Sequence, residues 1–358
     1  MCVVTFDWED CDAKKKVVLF NKKRSLTWAV FELTNQCNFN CIWCYANSAL
    51  KGQYMSKEKI KRIIQILSNA GVIQITFSGG EPLLYPHLKE VMKIAKDYEM
   101  IIHMNTNGYF LTKKLAKELY DLGLTQVQIN IDSLDPRKHD QIRGKRGSFD
   151  KAVKALKNAK AVGLTCASQT VLTKQNENEI IDIFKFTRSI GIQRCRVWDM
   201  MPTGHAIGKL NLRPTDYIST LKKLAEFACK TGAKNIESGD PLFPLDCKID
   251  INITGGYCVA LAGALINISY NGDVYFCVTH RKPMFNILDK ENDLSLGKIY
   301  KSELEKYVKS LKASQKCYQT KCNFINKCKF GCPTRRRYDK LGNDYHCPYL
   351  KSSLPSLS

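Results

Sequence analysis

Cys37-Asn-Phe-Asn-Cys41-Ile-Trp-Cys44 puts three thiols in one short loop, at gaps of three and two residues. The stretch before it, Thr27-Trp-Ala-Val-Phe-Glu-Leu33, reads as a buried strand. The loop therefore leaves a strand end, where β/α enzymes place their chemistry. Three thiolates at this spacing suit three irons of a 4Fe–4S cube. Such clusters normally take four cysteines, so a missing fourth leaves one iron open to another ligand. A structural zinc site is the competing reading. It asks for a closed tetrahedral shell, and this loop offers no fourth Cys or His.

A second motif follows one strand–helix–strand unit later. Gly71-Val-Ile-Gln-Ile-Thr-Phe77 reads as a strand and runs into Ser78-Gly79-Gly80-Glu81-Pro82. Two glycines at a strand's C-terminal end let backbone approach a ligand where a Cβ would collide. The two motifs together, with Trp43 just before the third cysteine, resemble the signature of the radical S-adenosylmethionine (SAM) superfamily. The resemblance implies that Cys37, Cys41 and Cys44 hold a 4Fe–4S cluster whose open iron is chelated by the methionine end of SAM. It implies that Gly79, Gly80, Glu81 and Pro82 form the turn that binds the methionine amino group. Reductive cleavage of SAM would then yield a 5′-deoxyadenosyl radical.

The elements needed to hold these loops are legible from residue 27 to about 230. Strands are expected at 27–33, 72–77, 100–105, 126–132, 164–171 and 192–198. Amphipathic helices are expected at 57–70, 86–98, 112–122, 148–161, 177–190 and 215–231. Gly71, Gly123, Gly163, Gly191 and Gly232 stand at or just past helix ends. Six βα units in succession predict an α/β fold, a parallel sheet curled as an open barrel. That is the partial (β/α)6 barrel of the superfamily. Asn105-Thr-Asn-Gly108 closes the third strand and Asn130-Ile-Asp132-Ser133 the fourth. By the resemblance Asn130 occupies the slot from which relatives contact the SAM ribose, often with Ser. The loop Met200-Met-Pro-Thr-Gly-His-Ala206 resembles one on the substrate side of several subgroups, with His205 as a substrate-facing acid/base candidate.

Beyond residue 232 the pattern changes. Gly239, Pro241, Pro244, Gly255 and Gly256 punctuate a linker over 232–257, and spaced cysteines then replace helices. Ile266–Tyr270 and Val274–Cys277 flank Asn271-Gly272, a type I′ hairpin signal. Cys258, Cys277, Cys317, Cys322, Cys328, Cys332 and Cys347 resemble the set that holds two auxiliary 4Fe–4S clusters in a SPASM domain, here 258–350 with a tail over 351–358. One gap departs from that pattern: four residues, not two, separate Cys317 from Cys322. By the family's arrangement Cys258, Cys277 and Cys332 serve one cluster, and Cys317, Cys322, Cys328 and Cys347 the other. The first is then one protein ligand short. Either Cys247 completes it or an iron stays open to substrate. Zinc remains an alternative for cysteines so spaced.

Composition narrows the setting. The chain has 358 residues with 44% hydrophobic content, enough for a principal domain and a smaller one. There are 16 cysteines, and in a chain of this size such abundance favours metal or redox work over a disulfide scaffold. No apolar run reaches membrane-spanning length, and the acidic N-terminus does not read as a secretory signal. A cytoplasmic location is expected. The first 27 residues are too few for the separate leader-recognition domain of some peptide-modifying relatives. The net charge of +21 offsets anionic clusters and would attract acidic partners or nucleic acid.

The resemblance implies hydrogen abstraction from a peptide or protein, with electrons from a flavodoxin- or ferredoxin-type donor. Tetrapyrrole side chains are an alternative substrate. RNA modification is another, disfavoured because no appended RNA-binding module is visible. An electron carrier without catalysis would not need the Gly-Gly-Glu-Pro turn.

Overall fold

Alternation of apolar and polar residues along each strand separates two faces, and the faces meet different environments. The computed structural model describes residues 26–192, 194–209, 216–231, 236–238, 253–254, 260, 263–289, 296–310 and 332–336. The first strand, β1 (Trp28–Glu32), is followed by α1 (Lys57–Asn69), β2 (Gln74–Ser78), α2 (Leu88–Asp97), β3 (Ile101–Asn105), α3 (Lys113–Asp121) and β4 (Leu124–Asn130). Two helices, α4 (Pro136–Arg143) and α5 (Ser148–Ala161), precede β5 (Thr165–Leu172). Then come α6 (Ile180–Ser189), β6 (Arg194–Asp199) and α7 (Tyr217–Thr231). Neighbouring strands from β1 to β6 pair in parallel and in sequence order. The expected strands and helices are thus present to within a few residues.

The helix α1 shows how local sequence builds the layer. Ser56 caps it by accepting a hydrogen bond from Lys59 N (3.4 Å), and Ile60, Ile63, Ile64, Ile66 and Leu67 are buried on one face. Gly71 ends the turn at φ +84°, where most side chains would be strained. The buried row pairs with Ala29, Phe31, Ile75, Phe77, Ile102, Met104, Val127 and Ile129 in one continuous core. A second core joins Leu172, Phe184, Val197, Tyr217 and Leu221 between β5, β6, α6 and α7.

The other face of the sheet is polar. Trp28 Nε1 donates to Thr76 Oγ1 (2.8 Å), and Gln128 Nε2 to Gln169 Oε1 (2.7 Å). Arg194 and Arg196 both pair with Glu237 (2.6 Å each) and reach Gln126 and Gln128. His103 lies in the same layer, its pKa lowered to about 4 by burial and by the two guanidinium groups.

The segment read as a linker departs from expectation. It contains β7 (Ile236–Ser238) and β8 (Ile253–Thr254), which continue the parallel sheet beyond β6. At the opposite edge, β9 (Leu265–Ile268) pairs in parallel with β1 and leads into β10 (Asp273–Cys277) and β11 (His280–Asn286), an antiparallel meander. The result is one 11-stranded sheet. The hairpin forms where expected, but its turn is not type I′. Gly272 has φ +91° while Asn271 is absent from the left-handed region, and Gly272 N donates to Ser269 O (2.9 Å). This is a type I turn closed by a left-handed glycine. Two further helices are described, α8 (Leu296–Ser310) and the short α9 (Pro333–Arg336). Among the described residues no helix is long and apolar enough to cross a membrane.

Candidate active site

The three thiols sit on a loop that closes on itself just beyond β1. Cys37 N donates to Ala49 O (2.8 Å), Ala49 N to Asn35 O (3.1 Å), and Asn35 N to Gln53 O (3.1 Å). These bonds pin the outgoing and returning arms, so the intervening residues are held at the C-terminal end of the sheet. Cys37 and Cys41 are buried and Cys44 half-buried, packed with Phe39, Trp43 and Tyr109. Burial pushes the Cys37 thiol up to about 11 and Cys41 up to about 12. A metal that displaces those protons would relieve the cost, because the thiolate is the ligating form. Among the described residues no three Cys, His, Asp or Glu groups converge on a single ion position.

Polar groups around the loop suit the same occupant. Phe39 N donates to Cys37 Sγ (3.4 Å), and Asn107 Nδ2 lies 3.9 Å from that sulfur. Hydrogen bonds to sulfur stabilise the thiolate form. Asn38 Nδ2, Trp43 Nε1 and Asn130 Nδ2 are buried without a hydrogen-bond partner. Such orphaned buried donors are costly unless a ligand or water meets them.

Arg143, at the end of α4, was not anticipated from the sequence. Its guanidinium lies over the rings of Trp43 (4.7 Å) and Phe39 (5.5 Å), and Nη1 is 3.4 Å from Asp132 Oδ2. Ile42 N donates to Ile142 O (3.0 Å), and a Cβ on Gly144 would come within 2.7 Å of the Asn40 carbonyl carbon. The end of α4 is therefore built against the cysteine loop. The helix itself had a readable signal: Asp135 caps it, Pro136 takes the first position and Gly144 closes it at φ +62°. Nothing in the local sequence says that Arg143 turns inward. Burial raises the pKa of Asp132, and Arg143 opposes that rise.

The Gly79-Gly80-Glu81 turn is fitted to the cysteine loop from the other side. Gly80 N donates to Thr34 O (2.7 Å) and Glu81 N to Gln36 O (2.8 Å). A Cβ on Gly80 would lie 2.5 Å from the Gln36 carbonyl carbon and nearer still to its oxygen. The backbone approach that requires glycine here is to the residue before Cys37. Glu81 is fully buried, with both carboxylate oxygens engaged. Thr106 Oγ1 (2.6 Å) and Leu83 N (3.1 Å) donate to one, and Asn107 N (2.7 Å) to the other. The carboxylate ties the turn to the Asn105–Gly108 loop, while Pro82 is buried at the start of a 3-10 turn. Burial raises the Glu81 pKa against those three donors.

His205 packs against the cysteine loop. Its N donates to Cys44 O (2.8 Å) and its Nδ1 contacts Cys41 O (3.2 Å), while a Cβ on Gly204 would lie 2.7 Å from Tyr45 O. The 200–206 loop clamps the cysteine loop. Asn130 ends β4 level with Gln169 of β5. Of the C-terminal cysteines, Cys277 and Cys332 are described. Cys277 Sγ contacts Thr279 Oγ1 (3.3 Å), which contacts Thr334 Oγ1 (3.4 Å), two residues past Cys332. Cys247, Cys258, Cys317, Cys322, Cys328 and Cys347 lie outside the described residues. Two long-range ion pairs dock this region on the barrel: Arg281 is bidentate to Glu32 (2.6 and 3.1 Å), and buried Arg335 lies 3.5 Å from Asp199.

The site is thus a three-thiol loop at the strand ends of a parallel β/α sheet. Residues 31–187 match the model of the radical SAM superfamily. The chain is 26% identical over 203 residues to the AdoMet-dependent heme synthase of Methanosarcina barkeri, covering 56% of this chain and 57% of that protein. It thus spans little more than half the length of that relative. It is 28% identical over 333 residues to the mycofactocin maturase MftC of Mycolicibacterium smegmatis, covering 90% of this chain and 82% of that one. The fold is that of Streptococcus suis SuiB bound to S-adenosylmethionine. The TM-score is 0.71 at 19% identity, over 93% of this chain and 80% of SuiB.

Proposed function

We propose that this chain is a radical SAM enzyme that abstracts hydrogen from a peptide or protein substrate and so oxidises or cross-links it. The observation that carries the reading is the loop of Cys37, Cys41 and Cys44, braced by the Gly80 turn, Arg143 and the His205 loop at the strand ends. These three cysteines would hold a 4Fe–4S cluster with one iron left for SAM. A reduced cluster held there would supply the one-electron chemistry on SAM that makes a radical able to take a substrate hydrogen. The chain's own part is positional. Gly79 and Gly80 keep the turn pressed on the loop, and Glu81 fixes the turn to Asn107. Asn130 would serve the SAM ribose.

In this reading Cys258, Cys277 and Cys332 hold one auxiliary 4Fe–4S cluster, and Cys317, Cys322, Cys328 and Cys347 a second, in a SPASM-type region over 258–350. The contacts linking Cys277 to the start of α9 support the first grouping. A peptide substrate is favoured because the similarity to MftC runs along 90% of this chain, against 56% for the heme synthase. SuiB, which shares the fold, is also known with its precursor peptide SuiA. The protein would work in the cytoplasm.

The test is anaerobic reconstitution followed by incubation with dithionite and SAM. Iron and sulfide near twelve each per chain, as three cubes require, and slow release of 5′-deoxyadenosine are expected. Replacing Cys37, Cys41 and Cys44 by Ala should remove about one third of the iron and all SAM cleavage. Zinc in place of the auxiliary iron would end the SPASM assignment. Cys247→Ala should keep full iron if the first auxiliary cluster has an open site, and lose a cluster if Cys247 is its fourth ligand.

A further inference from the structure

A line of aromatic rings runs from the cysteine loop to the surface. Phe39, between Cys37 and Cys41, is buried and meets Tyr109 edge to face at 5.8 Å. Tyr109 meets Phe110 at 5.2 Å, and Phe110 is 40% exposed. The backbone carrying these rings is firmly placed. Tyr109 N donates to Asn107 Oδ1 (2.9 Å), and Asn158 Nδ2 of α5 donates to Leu111 O (3.0 Å). A Cβ on Gly108 would meet Ala155 of α5 at 2.9 Å. The opposite side of the loop, at Trp43, packs inward against Val171, Met200 and Ala206. The Tyr109–Phe110 corner thus links Phe39, which lies between two of the thiols, to solvent in two ring contacts.

That corner is ringed by positive charge. The Lys145 and Lys151 ammonium groups each lie 5.4 Å from the centre of the Tyr109 ring. Between 144 and 158 the chain carries Lys145, Arg146, Lys151, Lys154 and Lys157 against one acid, Asp150. An exposed aromatic set in such a field suits an acidic protein surface, attracted over distance and seated on the ring. The enzyme proposed above needs one electron per SAM cleaved, and tunnelling rates fall steeply with distance, so the donor must approach the cluster closely.

We infer that the Tyr109–Phe110 corner, with Lys145 and Lys151, is the docking surface for an acidic one-electron carrier protein that reduces the Cys37/Cys41/Cys44 cluster. In each event the carrier loses one electron and the cluster gains it, with no atom transferred. The inference rests on the proposed function. Neither lysine belongs to the cysteine loop or to the Gly-Gly-Glu turn.

The test compares two reductants on the reconstituted full chain. Probes are a reduced flavodoxin, an acidic flavoprotein passing one electron from its hydroquinone, and dithionite, which needs no docking surface. In the K145E/K151E variant the KM for flavodoxin should rise at least tenfold, while dithionite-driven release of 5′-deoxyadenosine stays within twofold. The flavodoxin KM of the unaltered chain should climb with salt, and this slope should flatten in K145Q/K151Q. K93E, an equal charge change on the outer face of α2, should leave it unaltered. An unchanged flavodoxin KM in K145E/K151E with normal dithionite cleavage would overturn the inference. So would a change seen only in the KM for a substrate peptide, which would make the corner a peptide surface. Absence of dithionite-driven cleavage in the unaltered chain would instead sink the proposed function on which the inference rests.

Discussion

Gly80→Ala should damage the cluster loop itself rather than SAM binding alone. The new Cβ would stand 2.5 Å from the Gln36 carbonyl carbon, whereas ordinary contact between carbons is about 3.5–4.0 Å. The two backbones must therefore part by about 1 Å. Gly80 N to Thr34 O at 2.7 Å and Glu81 N to Gln36 O at 2.8 Å would then exceed hydrogen-bond range. Losing two such bonds costs about 1–3 kcal/mol net, and forcing extra volume into a packed contact adds about 1–3 kcal/mol. Gln36 immediately precedes Cys37, so the displacement passes to the first thiol. Iron should fall by one cluster's worth on anaerobic reconstitution, and the apoprotein should melt earlier. Gly71→Ala is the control, since a Cβ there meets nothing within 4 Å and only the φ of +84° is strained. It should cost about 1–2 kcal/mol and leave iron intact. Full iron in Gly80→Ala with SAM binding abolished would refute this account and return Gly80 to a ligand-facing role.

Arg143→Met should strand the Asp132 carboxylate, which is fully buried and otherwise held by neutral donors, Val171 N among them. A loss of about 3–5 kcal/mol is expected, read by urea unfolding of the apoprotein. Adding Asp132→Asn should recover much of it, and equal losses in the single and double variants would show that the ion pair is not the cause. Acid should weaken the fold through buried neutral histidines. Burial lowers His103 to about 4 and His139 to about 3, against 6.5 in the unfolded chain. As pH falls the unfolded chain takes up these protons first. Stability present above 6.5 is therefore lost on descending toward 4 for His103 and toward 3 for His139, by about 2 kcal/mol each at pH 5. His103→Gln should flatten the decline in urea midpoint between pH 7 and pH 5, and an unchanged slope would count against it. Glu81→Ala should leave Thr106 and the Asn107 N–H without their acceptor. That costs on the order of 2–5 kcal/mol, and wild-type stability in this variant would show that the tie between the two loops is dispensable.

The cysteine spacing, the Gly-Gly-Glu-Pro turn and the order of strands and helices were legible in the chain because each rests on local periodicity or on residues close in sequence. The same holds for the Asn271-Gly272 turn, although its type was decided by the backbone of Asn271. What the sequence concealed depends on partners far along the chain. The closure of the barrel edge pairs Thr27 with Ala264, and the polar inner face joins Gln126, Gln128, Arg194, Arg196 and Glu237 through contacts 41 to 68 residues apart. Glu81 and His205 carried recognisable identities, yet their carboxylate and imidazole are taken up by Thr106, Asn107 and Cys41. Arg143 had none: a charged residue near the end of a short helix reads as solvated. Only the packing of α4 on Asn40 and Ile42 turns it beneath Trp43 and Phe39, where Asp132 compensates a charge that burial alone would forbid.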